Sequence, residues 1–432
     1  MMHYTSIKDL HGKKLLILAG GPNLVTLVER AKELGIYTIV TDYYDMEESP
    51  AKRIADEYWD ISWADIDALE KKCREEKVNG VTTGYSESPV GCCIQLCARL
   101  KLPCYCTEEQ LALTRNKILF KKVCRKNGVP VVNEYPSIDS VTNYPIIVKP
   151  VDRAGSIGVG VATNFDELKT AYAYALEESY SKNVIIEDFI TNGTKFDVYY
   201  AICAGEPILL SDDDTINAQD NGFERVVQSG WVYPSKYHKE FLLKADEPIK
   251  RMIKDLKIHD GYIFFSGFAI EKEGEVDFVF FETGFRLSGE HMHRYISALG
   301  IVNVLDIFIV HALTGSTELV EWRKEEDTGL KCVTVNYYAA NGTVSSFEGT
   351  DSITKMKDCI FFIQYGKTGE KCDTEKAILS KMSMFHFCNH SPSALAHDVE
   401  TANKTYEIKD ESGHDMIYDR MNPMVIADWW NI

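Results

Sequence analysis

No stretch of this chain approaches the ~18 apolar residues that a membrane-spanning helix needs, so no membrane is expected among its partners. Positive charge is scarce: 47 Lys and Arg face 65 Asp and Glu, a formal net charge of −18. A surface that acidic repels nucleic-acid backbone and anionic lipid, which excludes both as main partners. Any anionic ligand would need a local basic pocket. The familiar nucleotide fingerprints are missing too. Gly20-Gly21-Pro22 has no third glycine at dinucleotide-binding spacing, and Lys149 precedes the glycines that a Walker A lysine would follow. Twelve cysteines are present, yet Cys92-Cys93-x-x-x-Cys97 and Cys104-x-Cys106 supply no C-x-x-C pair with a matching partner. Cys92, Cys93 and Cys97 fall in an apolar helical run, where a reduced thiol behaves as a small hydrophobe, and no structural metal is expected. The polar opening Met1-Met-His-Tyr-Thr-Ser6 shows no secretory pattern. A reducing cytoplasm is the compartment these features suggest.

What the chain does have is regular alternation of apolar runs and helical patterns, over a length of 432 residues that suits two to four domains. Residues 13–19 read as a strand ending in a glycine turn, 23–34 as a helix stopped by Gly35, and 36–42 as a second strand closed by Asp42. This βαβ pattern implies a parallel sheet, and such sheets gather ligands at the carboxyl ends of their strands. Asp42, and Tyr85, Ser86 and Glu87 after the strand predicted over 78–84, are therefore candidate substrate contacts. Helix caps and turn acids account for them equally well.

The stretch Pro145-Ile-Ile-Val-Lys149-Pro-Val-Asp-Arg-Ala-Gly155-Ser-Ile-Gly158 combines an apolar strand, a lysine and a Gly/Ser loop. A strand can fix the ammonium while the glycines let backbone N–H groups close on phosphate oxygens. An exposed lysine on a plain hairpin is the alternative. Further along, 183–190 reads as a buried strand and 196–204 with 206–210 as a strand pair. The polar segment 211–237 reads as a mobile flap, with Arg225 and Lys236 solvated or facing an anionic substrate. Residues 321–327 read as a solvated linker, and 331–340 with 343–347 as a hairpin across Asn341-Gly342.

The densest polar cluster is Glu282-Thr-Gly-Phe-Arg286-Leu-Ser-Gly-Glu290-His291. Period-2 alternation places Glu282 at the end of an apolar strand face with Val276, Phe278 and Phe280. A carboxylate there is costly unless a cation meets it.

In this order, these pieces resemble the ATP-grasp superfamily, most closely its carboxylase, carbamoyl-phosphate synthetase and amino-acid ligase branch. The resemblance covers nearly the whole chain. It implies an α/β and α+β multidomain protein: a Rossmann-like pre-ATP-grasp domain (1–107), a two-subdomain ATP-grasp fold and a small α+β C-terminal domain (328–432). The small ATP-grasp subdomain with lid and hinge would span 108–190 and the large one 191–320. Lys117 and Lys149 match the family's two phosphate-binding lysines, and Gly155, Ser156, Ile157 and Gly158 its glycine-rich lid. Glu187, Asp188, Phe189 and Ile190 match the hinge that binds adenine through backbone groups. Glu282 would hold Mg²⁺, with Mn²⁺ as the alternative ion, and Arg286 would clamp the transferred phosphoryl group or a substrate carboxylate. Glu290 or His291 would help deprotonate an amine, unless they are simply a helix N-terminal acid and a packed histidine.

Three departures accompany the match. Gly284 stands where the family has a metal-binding Asn, Phe268 falls near a second metal carboxylate, and Lys195 replaces a ribose-contacting Glu, with Asp197 as a stand-in. The activity implied is an ATP-dependent carboxylate–amine ligase acting through an acyl phosphate on small carboxylate and amine substrates. A small-metabolite kinase, a carboxylase and a non-catalytic nucleotide-binding subunit are the alternatives. A second copy of the chain is a candidate partner.

Overall fold

The computed structural model describes residues 4–153, 157–218, 227–323, 328–373 and 380–430. The expected βαβ opening forms a parallel sheet of β1 (Lys14–Leu18), β2 (Tyr37–Thr41), β3 (Glu57–Trp59) and β4 (Gly80–Thr82), ordered β3-β2-β1-β4. Leu15 to Leu18 are all fully buried because helices cover both faces of the sheet. Asp42 has a structural task. Its carboxylate accepts from the Gly20 N–H and from Ser49 Oγ, both at 2.8 Å, and so fastens the first glycine turn.

A four-stranded antiparallel sheet follows: β5 (Glu134–Tyr135), β6 (Ile146–Pro150), β7 (Gly160–Ala162) and β8 (Val184–Asp188), ordered β5-β8-β6-β7. The helix Phe165–Glu178 covers one face. The remaining strands are β9 (Gly193–Cys203), β10 (Glu206–Asn217), β11 (Gln228–Tyr233), β12 (Gly261–Lys272), β13 (Glu275–Gly284), β14 (Lys331–Tyr338), β15 (Gly342–Glu348), β16 (Cys359–Gln364), β17 (Lys371–Cys372), β18 (Lys381–Asn389) and β19 (Glu407–Asp410). Eight of them build one antiparallel sheet, ordered β13-β12-β9-β10-β11-β14-β18-β16. It runs without a break from the region of Glu282 into the C-terminal part of the chain. The others form a small sheet ordered β17-β15-β19.

Two expectations change here. The described part of 211–237 is not a flap but the end of β10 and the whole of β11, at the centre of the large sheet. Its acids are buried because each finds donors. Asp212 accepts from the Ser235 N–H at 3.0 Å, and Asp214 from Ser235 Oγ at 2.7 Å and the Lys236 N–H at 2.9 Å. Arg225 lies outside the described residues. Lys236 is held between the Tyr237 and Trp429 rings, 4.7 and 4.8 Å from their centroids. Second, β15 does not fold back on β14, despite Asn341-Gly342. Both edges of β14 are already hydrogen-bonded, to β11 and β18, so β15 pairs with β17 and β19 instead.

The helix Val304–Thr314 is buried on all sides and locks the first sheet against the large one. Arg30 grips Asp306 with two bonds of 2.7 and 2.8 Å, and the Gly80 Cα faces the Ala312 carbonyl too closely for any side chain. The aromatic tail docks on the body: Trp429 Nε1 donates to Asp214 at 3.0 Å and Trp430 Nε1 to Pro234 O at 2.8 Å. Cys93, Cys97 and Cys104 bring their Sγ atoms within 4.8 Å of one another, which their spacing does not suggest. No single helix among the described residues is long and apolar enough to cross a membrane. Among the described glycines the most closely packed is Gly230 in β11, where an added Cβ would lie 1.7 Å from Thr334 O. Gly230→Ala is therefore expected to cost about 3 kcal/mol, seen as an earlier midpoint in urea unfolding.

Candidate functional site

The basic end of the site is built by one helix and two strands. Asn116 caps the helix Lys117–Asn127, its Oδ1 accepting from the Ile118 and Leu119 N–H groups at 3.0 and 3.1 Å. This fixes Lys117 at the helix start, where its Nζ donates to Arg153 O at 2.9 Å. Lys149 projects from the middle of β6 and pairs with Glu187 of β8, Nζ to Oε2 2.8 Å. One helical turn beyond Lys117, the fully buried Lys121 pairs with the other oxygen of Glu187 and donates to Val132 O at 3.2 Å. Burial pushes the Glu187 carboxyl up, but the two lysines outweigh it and hold it below the ordinary range. Burial lowers the pKa of both Lys117 and Lys121. Three ammonium groups meet in a partly desolvated corner, two of them paired with the buried Glu187 carboxylate, which suits a polyphosphate.

The lid is partly defined. Gly155 and Ser156 lie outside the described residues. Ile157 is exposed, and Gly158 has φ +74°, with Pro150 and Glu178 filling the space a Cβ would need. In the hinge, the Glu187 side chain is engaged by lysines. The Asp188 carboxylate accepts from Tyr135 Oη at 2.8 Å, and the Phe189 N–H is spent on Pro145 O at 3.1 Å. Ile190 follows, partly buried.

Glu282 ends β13 exposed to solvent, close enough to Lys117 and Glu87 to affect both. Its cross-strand neighbour is Ser266, not Phe268, whose ring lies 5.3 Å from Phe281. Gly284 could not carry the family's asparagine: an added Cβ would lie 2.4 Å from the Phe264 ring. That same ring supports Arg286, whose guanidinium carbon lies 5.2 Å from the centroid. Arg286 Nε is buried without a hydrogen bond among the described residues, 3.9 Å from Glu87 Oε1. Glu87 opens the helix Glu87–Leu100, and burial raises its pKa despite Arg286. Lys117, Lys149, Glu187, Glu282, Arg286 and Glu87 thus share one neighbourhood. A single carboxylate such as Glu282 fits one Mg²⁺ that takes its other ligands from phosphate oxygens and water. Gly284→Asn is expected to lower stability without tightening Mg²⁺ binding, which titration of the variant would read.

From Glu282 a polar row crosses the sheet. Glu282 faces Ser266, Ser266 faces Asp197, and Asp197 faces Asp213. Lys195 lies on the same face, 3.0 Å from Asp197. Burial opposes the Lys195 charge, but Asp197 and Glu290 override it and raise its pKa. Burial raises Asp213 well above the carboxylate range, and its Oδ2 accepts from Tyr199 Oη at 2.6 Å while Oδ1 has no partner among the described residues. Lys195 and Asp197 therefore belong to an acidic cluster with Asp213 and Glu290. His291 is a packed residue: fully buried, its Nε2 bonds Asn23 Oδ1 at 2.9 Å and its ring lies 5.0 Å from Tyr85. Burial lowers its pKa far enough to keep it neutral. Beside it a cavity of about 230 Å³ is lined by Asn23, Thr83, Tyr85, Ser86 and Tyr365. Tyr85 shares a hydrogen bond of 2.9 Å with Thr26, and Ser86 is exposed. Lys121 and Asp213 escape the sequence reading. The signal for Lys121 is its position one turn from Lys117; Asp213 hides in a run of three aspartates that reads as loop.

The chain is similar to several known proteins. The family described as D-ala D-ala ligase C-terminus matches residues 115–241. The formate-dependent phosphoribosylglycinamide formyltransferase of Sulfurisphaera tokodaii is 23% identical over 270 residues, 56% of this chain and 64% of that protein. The chain thus spans somewhat less than two-thirds of that relative's length. The L-amino acid ligase from Bacillus licheniformis superposes with TM-score 0.74 at 18% identity, over 93% of this chain and 99% of that one. The biotin carboxylase domain of Hydrogenobacter thermophilus 2-oxoglutarate carboxylase, solved as a dimer with MgADP, gives TM-score 0.72 at 16% identity, over 97% and 94%. Over nearly its whole length the chain thus has the fold these structures share, the ATP-grasp fold, and residues 115–241 carry the match to the ligase family.

Proposed function

We propose that this protein is an ATP-dependent carboxylate–amine ligase. The observation that carries the reading is the joining of two unlike ends: a three-lysine corner around Glu187, and an acid cluster around Glu290, with Glu282, Arg286 and Glu87 between them. Lys117 and Lys149 neutralise the β- and γ-phosphates, Lys149 exchanging Glu187 for phosphate while Lys121 keeps Glu187 paired. Glu282 would hold Mg²⁺, whose charge would offset that of the phosphate groups. Arg286 meets the γ-phosphoryl group as it passes to a substrate carboxylate oxygen, leaving ADP and an acyl phosphate. The amine nitrogen then attacks the acyl carbon, the carbon–oxygen bond to phosphate breaks, and inorganic phosphate departs. Glu290 takes the proton the amine gives up. His291, buried and bonded to Asn23, positions the segment and takes no proton.

Tyr85, Ser86 and Glu87 bound the carboxylate-bearing substrate from the side of the first sheet, where the 230 Å³ cavity opens. The likeness to an L-amino acid ligase supports amino-acid-like substrates, and a second copy of the chain is the partner we propose. The test is ADP release from ATP and Mg²⁺ against amino acids singly and in pairs, with mass spectrometry of products. The reading expects ADP only with a particular pair, and a product lighter than its parts by one water. A gain of one phosphoryl group on a single compound makes the protein a kinase. The single metal carboxylate beside Gly284 favours one rival, a nucleotide-binding subunit, which would bind ATP and release no ADP with any pair.

A further inference from the structure

The large sheet carries a lysine that the ligase chemistry above does not use. Lys381 opens β18, and a register shift re-aims it: Tyr337 pairs with Ser383 and Tyr338 with Lys381, leaving Met382 without a partner on β14. The bulge brings the Lys381 side chain to the face that bears Trp231. Its Nζ lies 5.3 Å from the Trp231 ring centroid and 5.5 Å from that of Tyr365. Among the described residues it has no carboxylate within ion-pair distance and makes no hydrogen bond. Burial lowers its pKa to about 8, with Glu290 holding it up and Lys195 pressing it down.

Glu290 is the matching half. Its carboxylate also has no ion pair among the described residues, yet Lys381, Lys195, Tyr338 and Tyr365 all feel its charge. An acid and a base, each without an ion pair among the described residues, therefore lie close enough to feel one another's charge but beyond ion-pair distance. On the same face of the sheet Trp231 Nε1, Asn336 Oδ1 and Thr215 Oγ1 are buried with no partner among the described residues. Unpaired charges and orphaned donors and acceptors in one desolvated place are costly unless a polar ligand meets them. A ligand carrying both charges a few ångströms apart satisfies both ends at once.

We propose that Lys381 binds the carboxylate of the amine-bearing substrate, so that this substrate is a free α-amino acid with its amino group at Glu290 and its side chain against Trp231 and Tyr365. This rests on the ligase reading for the fate of the amine, but not for the binding itself. Lys381 is then a specificity-determining residue: it selects free amino acids over amines and amides that lack the carboxylate.

Two measurements on the full chain test this. In the ADP-release assay, each amine partner is supplied as the free amino acid and as its carboxamide. Wild type is expected to prefer the free acid. Lys381→Met should lose roughly 30-fold in kcat/KM for the free acid, through KM, with KM for ATP and the low carboxamide rate unchanged. Lys381→Arg should recover part of the loss. Equal losses on acid and amide, or none, overturn the proposal. The second measurement needs no turnover: ligand-observed NMR of a mixture of the twenty common amino acids, with a non-hydrolysable ATP analogue present. Retention of a free amino acid by wild type but not by Lys381→Met, both equally stabilised by the analogue, supports the site even if no ADP ever forms. No retention of any of the twenty by wild type overturns it.

Discussion

Lys149→Met should lower ATP turnover by roughly 10³-fold, the effect of losing one preorganised charge on a transferring phosphoryl group, while the protein remains folded. The second half of that expectation comes from the three-residue geometry around Glu187. Removing Lys149 leaves Glu187 still paired with Lys121, so no buried charge is stranded. The converse substitution separates the two roles. Glu187→Gln would leave the fully buried Lys121 with only Glu134, 3.8 Å away, as an anion, and should cost about 3 kcal/mol of stability. Steady-state ADP release and urea unfolding on the two variants check both halves. A Lys149→Met protein that turns over ATP normally would remove Lys149 from the phosphate site.

Glu282→Gln should be nearly as damaging to turnover and nearly silent in stability. Its side chain is exposed at the end of β13, so the fold gains little from its charge. Its cross-strand neighbour is Ser266, and Gly284 offers no ligand atom, so neither adjacent position supplies a second carboxylate to take over a metal. We expect a loss of roughly 10²-fold or more at ordinary Mg²⁺, partly recovered at higher Mg²⁺, because a neutral amide is a weaker ligand than a carboxylate. A magnesium titration of ADP release gives the answer. Unchanged Mg²⁺ dependence would mean that the metal is held elsewhere on the polar row, at Asp197 or Asp213.

The parts of the site legible in the sequence are those carried by contiguous segments. Lys149 with its strand and loop, and Glu282 to Glu290 at the end of a hairpin, announce themselves because one short stretch holds both the scaffold and the chemistry. The parts that escape are assembled across strands. The three aspartates 212–214 read as loop by composition, yet β10 buries them, because donors from Tyr199, Ser235 and Lys236 arrive from other elements. Asn341-Gly342 is a sound turn signal that tertiary pairing overrules, since β14 has no free edge. Trp231 and Lys381 meet only because β11 and β18 flank β14 and a bulge turns one of them over. The role of Glu187 is hidden for a different reason. The hinge resemblance draws attention to its backbone, while its side chain forms the ion pairs that organise both lysines.

The most direct test of the ligase account follows an oxygen atom. The amino-acid panel is run with carboxylates labelled with ¹⁸O, and the released inorganic phosphate is weighed by mass spectrometry. Transfer of the phosphoryl group to a carboxylate, followed by cleavage of the carbon–oxygen bond, predicts one ¹⁸O in each phosphate and one fewer in the joined product. Phosphate that leaves unlabelled while ADP accumulates would mean that no acyl phosphate forms, and would contradict the account.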